Sequence, residues 1–487
     1  MSNAMAQTSA CARGRPRCDW GVRPGCVRPR RPTAPQPALL EFGSLPIRPE
    51  AGVPLSSVLE SHGGLPRLRA ALARGALPPT SPLRVCYLGG SVTEQKAGWR
   101  PLVTAWLESQ LGGVVHEIPA WCGNSGSKVL AFLTHDWVVV HKPDLVFLEL
   151  AINDGDTLLE SGDAAGIGCA LEGIVRHVRA SLPECELCFV YMFVRDELPI
   201  HERTGSAAWA HNTDLRAADA YHAHIPALHS AVAAHYAAPA VNLVPLMAAI
   251  SHAQRRVAFR DDCHLNPAGA ALAAAAVAAC LLRLTAAGDG DAARANGTIA
   301  AAPPPPPPLP PPLHRGVWAR GTSRLVEPRE LSFFYVDPPP PPAETRAVQA
   351  RLLMRHTQLD LDALKPTQHR AWWLLYAGQH AEVSFSGSRL GILTIVGPDA
   401  GEVVCEVDGE RTFRRPLLDK WAYFWRVAVV TLAEGLAAGE HTARVYLAPE
   451  VPSARVLKRP PAGANWERCV AEGKQHKLWL MYWLIGE

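Results

Sequence analysis

The stretch from Leu83 to Thr93, Leu-Arg-Val-Cys-Tyr-Leu-Gly-Gly-Ser-Val-Thr, limits what this chain can fold into more than any other. Residues 84–88 have the β-branched and aromatic content of a strand. The strand pattern stops at two glycines and a serine. Apolar residues then recur at helical spacing through Trp99, Leu102, Val103, Trp106, Leu107 and Leu111. Strand, tight turn, serine and helix in that order lift a hydroxyl out at the carboxyl edge of a sheet, where open α/β folds bind ligands. The unpaired N–H groups at the start of the helix face the same place. Taken alone, the stretch reads equally well as a glycine-rich turn whose serine caps the next helix.

Strand-like segments continue at 114–118, 145–150, 186–193 and 240–243. Helical patterns lie between and after them at 99–111, 128–141, 164–182, 213–236 and 267–284. The last of these opens on Asn266 as N-cap and Pro267 at the first helical position. Short strands separated by helices predict a parallel sheet with helices on both faces, in the doubly wound strand order 2-1-3-4-5. A long polar segment at 195–212, with Asp196, Glu197, His201, Glu202, Arg203, Trp209 and His211, reads either as a wall of the ligand site or as a solvated loop.

Three later stretches share the carboxyl edge with Ser91: Cys122-Gly-Asn-Ser-Gly-Ser127, Ala151-Ile-Asn-Asp154 and Asp261-Asp-Cys-His-Leu-Asn-Pro267. A nucleophilic serine needs a base within hydrogen-bond reach and donors aimed at the developing oxyanion. Asp261 and His264, three residues apart, can set a carboxylate against an imidazole and leave Nε2 facing Ser91. Asp262 competes as orienter, and the three-residue spacing favours Asp261. The N–H of Ser91, the N–H of Gly126 (Gly123 second) and the side-chain amide of Asn153 can hold a tetrahedral oxygen. Each residue also has a plainer reading: Asn153 and Asp154 as helix caps, His264 as a satisfied loop histidine.

Together the four blocks resemble, in order, those of the SGNH (GDSL-type) hydrolases, over about residues 84–284. The resemblance implies a flavodoxin-like three-layer fold and ester hydrolysis without metal or cofactor, with Ser91 as nucleophile, His264 as base and then acid, and Asp261 as its orienter. Two positions depart from the family pattern: Gly90 stands where an Asp usually precedes the serine, and Ala151 where the third block usually opens on Gly. Neither removes a catalytic group, so altered loop geometry is expected rather than inactivity.

Composition changes after Thr285. Fourteen of the 44 prolines stand in runs at 303–312 and 338–342, which read as polyproline II spacers or as ligands for modules that recognise such helices. From 344 onward eight short strand patterns with turn signals, Asp408-Gly409 the clearest, predict a β-sandwich-like domain. Its Trp372, Trp373, Trp421, Tyr423 and Trp425 are either core or platforms for sugar rings. The expected organisation is thus a tail at 1–44, a hydrolase domain at 45–285, a proline-rich linker at 286–343 and an accessory domain at 344–487.

Residues 1–4, Met-Ser-Asn-Ala, resemble an expression scar ahead of Met5. Between there and Ala38 stand seven Arg against one acid, Asp19, which reads as a disordered basic tail or an organelle transit peptide. A net charge of +3 on 487 residues argues neither for nucleic acid nor for a membrane surface. No apolar run reaches the ~18 residues of a membrane span. Cys185 and Cys188 form a C-x-x-C inside an apolar strand pattern and read as core thiols. The function expected is a serine esterase acting on an acyl ester, acetyl on a carbohydrate being one form. An acyltransferase on the same triad and a non-catalytic scaffold with proline-rich partner motifs are the alternatives.

Overall fold

In the computed structural model, the described residues are 45–49, 52–74, 82–193, 217–261, 263–286, 308–314, 324–326, 333–336, 373–376, 380–397, 400–418, 426–450 and 477–486. The basic tail, the 195–212 segment, Asp262 and most of the accessory-domain aromatics named above lie outside them.

The first half is an α/β sandwich. Its strands are β1 (Leu59–Glu60), β2 (Leu83–Gly89), β3 (Val115–Trp121), β4 (Leu145–Glu149), β5 (Glu186–Tyr191) and β6 (Ala240–Asn242). Its helices are α1 (Leu55–Val58), α2 (Pro66–Arg74), α3 (Ser91–Glu94), α4 (Trp99–Leu111), α5 (Ser127–Trp137), α6 (Ala151–Ser161), α7 (Ala164–Ser181), α8 (Ala217–His235), α9 (Val244–Ala248), α10 (His252–Ala258) and α11 (Pro267–Thr285). The sheet order is β1-β6-β5-β4-β2-β3. The five strands read from the sequence therefore lie in the expected order, all parallel. The antiparallel edge strand β1, two residues long, is added to them.

β2 lies between β3 and β4, buried on both faces, and holds Cys86 level with Ile118 and Val146 of these neighbours. Behind it Tyr87, Trp99 and Phe147 form one aromatic cluster, with Tyr87 stacked on Phe147 at 5.1 Å. Such buried rings supply much of the packing that holds an α/β layer together. Cys185 and Cys188 are buried, and burial pushes both thiols up, the first to about 12, as expected of core cysteines. α11 is capped as its sequence predicts: the Asn266 side chain accepts from the N–H groups of Ala268 and Gly269 at 3.0 and 3.1 Å. Among the described residues α11 is also the one helix long and apolar enough to cross a membrane. It is instead a core helix, with Ala270, Leu272, Ala273, Val277 and Leu281 buried against the rest of the domain.

The second half is a sandwich of two five-stranded antiparallel sheets. Its strands are β7 (Arg324–Val326), β8 (Phe333–Val336), β9 (Trp373–Tyr376), β10 (His380–Gly387), β11 (Arg389–Val396), β12 (Glu402–Val407), β13 (Arg411–Pro416), β14 (Arg426–Ala433), β15 (Gly439–Leu447) and β16 (Lys477–Gly486). One sheet runs β13-β12-β15-β10-β8, the other β14-β11-β16-β7 with β9 also on β16. Asp408 (φ 54°) and Gly409 (φ 71°) make the tight turn between β12 and β13 in the left-handed conformations that such hairpins need.

The expected linker requires correction on two counts. β7 and β8 fall inside residues 286–343, yet they pair with β16 and β10 and belong to the sandwich. The end of the first proline run, although Pro308, Pro311, Pro312 and Leu313 are exposed, is likewise no free spacer. Arg176 Nη1 donates to the Pro310 carbonyl at 2.7 Å and His235 Nε2 to that of Pro311 at 2.8 Å. The buried Glu172 carboxylate accepts from the N–H groups of Leu313 and His314 at 2.6 and 2.7 Å, from His314 Nδ1 at 2.8 Å and from the Tyr236 hydroxyl at 2.6 Å. Burial alone would raise the Glu172 carboxyl, but these four donors outweigh it and hold the group below its usual range, ionised. Residues 308–314 are thus clamped onto α7 and α8. Polar backbone that loses water must be paired in this way.

The two halves also share a core. Leu393, Ile395 and Leu484 are buried in one cluster with the core of the α/β half, on the sheet face opposite Leu390, Ile392 and Trp483, which fill the sandwich. β11 is consequently buried along nearly its whole length, which explains the largely apolar run Leu-Gly-Ile-Leu-Thr-Ile-Val, in which Thr394 is also buried. α5, which begins directly after the glycine loop at 123–126, packs on β14 and β7.

Candidate active site

Four loops meet at the carboxyl edge of the parallel sheet. Ser91 is the first residue of α3, a single helical turn directly after Gly89-Gly90. Gly89 has no room for a side chain, and Gly90 is crowded by the side chain of Asn153. A Cβ on Gly89 would sit 2.3 Å from Thr93 Oγ1 and 2.8 Å from the Glu149 carbonyl, and one on Gly90 would sit 1.9 Å from Asn153 Oδ1. At Gly90, the departure from the family pattern, a side chain would have to displace the Asn153 side chain, which leans against it.

His264 Nε2 lies 2.8 Å from Ser91 Oγ. Its Nδ1 lies 2.9 Å from both carboxylate oxygens of Asp261. Asp261 Oδ1 also accepts from the backbone N–H groups of His264 at 2.7 Å and Cys263 at 3.1 Å. Burial pushes the Asp261 carboxyl up, but the imidazole and these two N–H groups prevail and hold it well below the usual carboxylate range. An ionised carboxylate only accepts, so Nδ1 carries the proton and Nε2 presents its lone pair to Ser91.

The turn that carries Ser91 is pinned from behind. Thr93 Oγ1 donates to Glu149 Oε2 at 2.8 Å, and Arg100 Nε donates to the Thr93 carbonyl at 2.9 Å. Arg100 also pairs with Glu117, and its guanidinium lies 4.0 Å from the Trp121 ring centroid. Burial pushes the Glu149 carboxyl up to about 8 despite the Thr93 hydrogen bond. It is therefore largely protonated near neutrality and puts little negative charge beneath Ser91. Gln95 Nε2 donates to the Leu265 carbonyl at 3.0 Å, tying the turn that carries the serine to the loop that carries the histidine.

The proposed oxyanion residues line the same edge. Asn153 is 8% exposed, and its side-chain amide makes no hydrogen bond among the described residues. Gly126 is the N-cap of α5 and packs against the Asn153–Asp154 backbone, whereas Gly123 approaches the serine: a Cβ on it would lie 3.8 Å from Ser91 Cβ. Asp154, read from sequence as a cap, accepts from Ser127 N at 2.7 Å, from Ser127 Oγ at 2.5 Å and from His229 Nε2 at 2.9 Å, with both carboxylate and imidazole fully buried. Asp154 thus caps α5 from another helix and fixes the loop that ends in Gly126. Sequence reasoning missed His229 as well as Glu149 and Thr93. His229 sits in an alanine-rich helix pattern with no partner at helical spacing, and only the fold brings it to Asp154.

Residues 87–272 match the family model described as GDSL-like lipase/acylhydrolase. Among solved structures, a two-domain esterase (CEX) active on acetylated mannans, co-crystallised with mannopentaose, shares 16% identity at a TM-score of 0.60, over 89% of this chain and 98% of that one. A second structure of a two-domain esterase (CEX) active on acetylated mannans gives 17% and 0.59 over the same shares. The acetyl xylan esterase AlAXEase shares 17% identity over 40% of this chain and 97% of its own, at a TM-score of 0.31. No curated protein matches the chain.

Proposed function

We propose, for a chain whose residues 87–272 form a GDSL-like lipase/acylhydrolase domain, that it is a serine esterase removing acetyl groups from carbohydrate through Ser91, His264 and Asp261. The observation that carries this reading is the relay Ser91 Oγ–His264 Nε2 at 2.8 Å and His264 Nδ1–Asp261 at 2.9 Å. In that geometry His264 takes the Ser91 proton as Oγ attacks the ester carbonyl, then returns it to the leaving alkoxide. Asp261 stays ionised and steadies the imidazolium. The N–H groups of Ser91 and Gly126 and the Asn153 amide receive the tetrahedral oxygen. A water then repeats the sequence on the acyl-enzyme and frees the acid.

Carbohydrate as the alcohol is supported by the two-domain likeness, which extends over both halves of this chain to an esterase active on acetylated mannans. The chemistry of the site alone sets only the ester. Release of acetate from acetylated mannan oligosaccharides, measured with and without an added alcohol acceptor, tests the reading. Free acetate as the product in both cases is expected. Acetyl transfer to the acceptor would make the chain a transferase, and turnover of long-chain esters alone would remove carbohydrate.

Asn153→Ala separates an oxyanion donor from a substrate-binding residue. Loss of one such donor lowers kcat by about 10²–10³-fold, with KM little changed. A pure KM effect measured on p-nitrophenyl acetate would show that Asn153 holds the substrate instead.

A further inference from the structure

The Asp261 side of the catalytic imidazole holds a third group that the ester chemistry does not use. Asp261, Cys263 and His264 are each partly exposed, and one ligand atom from each lies within 4.8 Å of the other two. Cys263 Sγ is 3.6 Å from His264 Nδ1, and Nδ1 is 2.9 Å from the Asp261 oxygens. Tetrahedral zinc, with Zn–S of about 2.3 Å and Zn–N and Zn–O of about 2.0–2.1 Å, sets S···N near ~3.6 Å and N···O near ~3.4 Å. The sulfur–nitrogen separation already meets this, and the nitrogen–oxygen separation has to open by about half an ångström.

We propose that Asp261, Cys263 and His264 form an inhibitory site for a soft divalent cation of the zinc class, with solvent as fourth ligand. The proposal rests on the triad reading above. In the active form the imidazole proton sits on Nδ1 and the Nε2 lone pair faces Ser91. The cation takes the Nδ1 lone pair, so the ring proton moves to Nε2, and an Nε2–H aimed at Ser91 cannot accept its proton. Cys263 releases its thiol proton to solvent and binds as thiolate, so one proton leaves per cation bound. Carboxylate and thiolate together balance the two positive charges. The thiolate sets the selectivity: sulfur favours zinc over magnesium and calcium, which prefer oxygen.

The test uses the full-length, chelator-treated protein hydrolysing p-nitrophenyl acetate in zinc-buffered solutions. The wild type is expected to lose nearly all its rate with zinc, to keep it with magnesium, and to recover it with EDTA. Cys263→Ala and Cys263→Ser are expected to keep the zinc-free rate close to that of the wild type. They should need at least ~10-fold more zinc for half-inhibition, since even outer-shell partners of a metal are worth ~10–100-fold in affinity. Cobalt provides a readout independent of turnover: a sulfur-to-metal charge-transfer band in the wild type that is absent from Cys263→Ala. Equal zinc sensitivity of wild type and Cys263→Ala, or a wild-type esterase indifferent to zinc, overturns the site. If the protein shows no esterase activity, the triad reading fails, and the cobalt band still decides whether the cation binds.

Discussion

Ser91→Ala is expected to lower kcat on an activated acetyl ester by at least ~10⁴-fold while leaving the melting temperature unchanged. The size follows from the arrangement of the site. Among the described residues His264 Nε2 has one partner to take a proton from, Ser91 Oγ at 2.8 Å, and Asp261 is committed to Nδ1. Without the hydroxyl neither group has a role in attack, and what survives is the contribution of the oxyanion donors and of binding. The fold should not notice the change. The turn is held by Thr93 on Glu149 and Arg100, by Gln95 on Leu265 and by the absence of side chains at Gly89 and Gly90, none of which involves the Ser91 hydroxyl. A variant that keeps a tenth of the wild-type rate would remove Ser91 as the nucleophile. A variant that loses its melting transition would make the rate uninterpretable, and Ser91→Cys then serves as the isosteric control.

Truncation after Thr285 is expected to abolish soluble, active protein. The sequence alone argues for the opposite result, because every proposed catalytic residue and a complete set of alternating strands and helices precede that point. The structure changes the expectation through two observations. Leu393, Ile395 and Leu484 are buried in the same cluster as the hydrolase core. Full burial of an aliphatic side chain is worth about 1.5–3 kcal/mol, so the three together contribute roughly 5–9 kcal/mol. That approaches the whole stability of a typical domain, about 5–15 kcal/mol. Truncation also strips Glu172 of the Leu313 and His314 donors, leaving a buried carboxylate with only the Tyr236 hydroxyl among the four. The damage reaches the chemistry through α5, whose first turn carries Gly126 and Ser127 and whose body packs on β7 and β14. Sedimentation and a p-nitrophenyl acetate assay of the 45–285 fragment check this. A monomeric fragment with wild-type activity would show that the interface adds little.

These two cases mark where sequence was enough and where it was not. The strands and helices and the meeting of Ser91, Asn153, Asp261 and His264 were legible because both are encoded locally: hydrophobic period gives the elements and strand ends give the site. The Asp408-Gly409 hairpin was legible for the same reason. The order of the five parallel strands followed from the doubly wound precedent rather than from the residues themselves. What was missed depends on partners far away in the chain. Glu172 lies in the apolar context Cys-Ala-Leu-Glu-Gly-Ile, and nothing nearby announces that it will bind backbone 141 residues later. β7 and β8 are three and four residues long and stand between proline-rich segments, too short for a period-two pattern to emerge. The double burial of β11 did leave a trace, since a strand with one wet face would alternate and this one does not.

The central claim is that Ser91 is made nucleophilic by the His264–Asp261 pair, and covalent capture tests it most directly. Wild-type protein treated with a fluorophosphonate is expected to gain one adduct that peptide mapping places on Ser91, with no labelling in Ser91→Ala and strongly slowed labelling in His264→Ala. Labelling at another serine, or an unmodified Ser91 in protein that still hydrolyses esters, would contradict it.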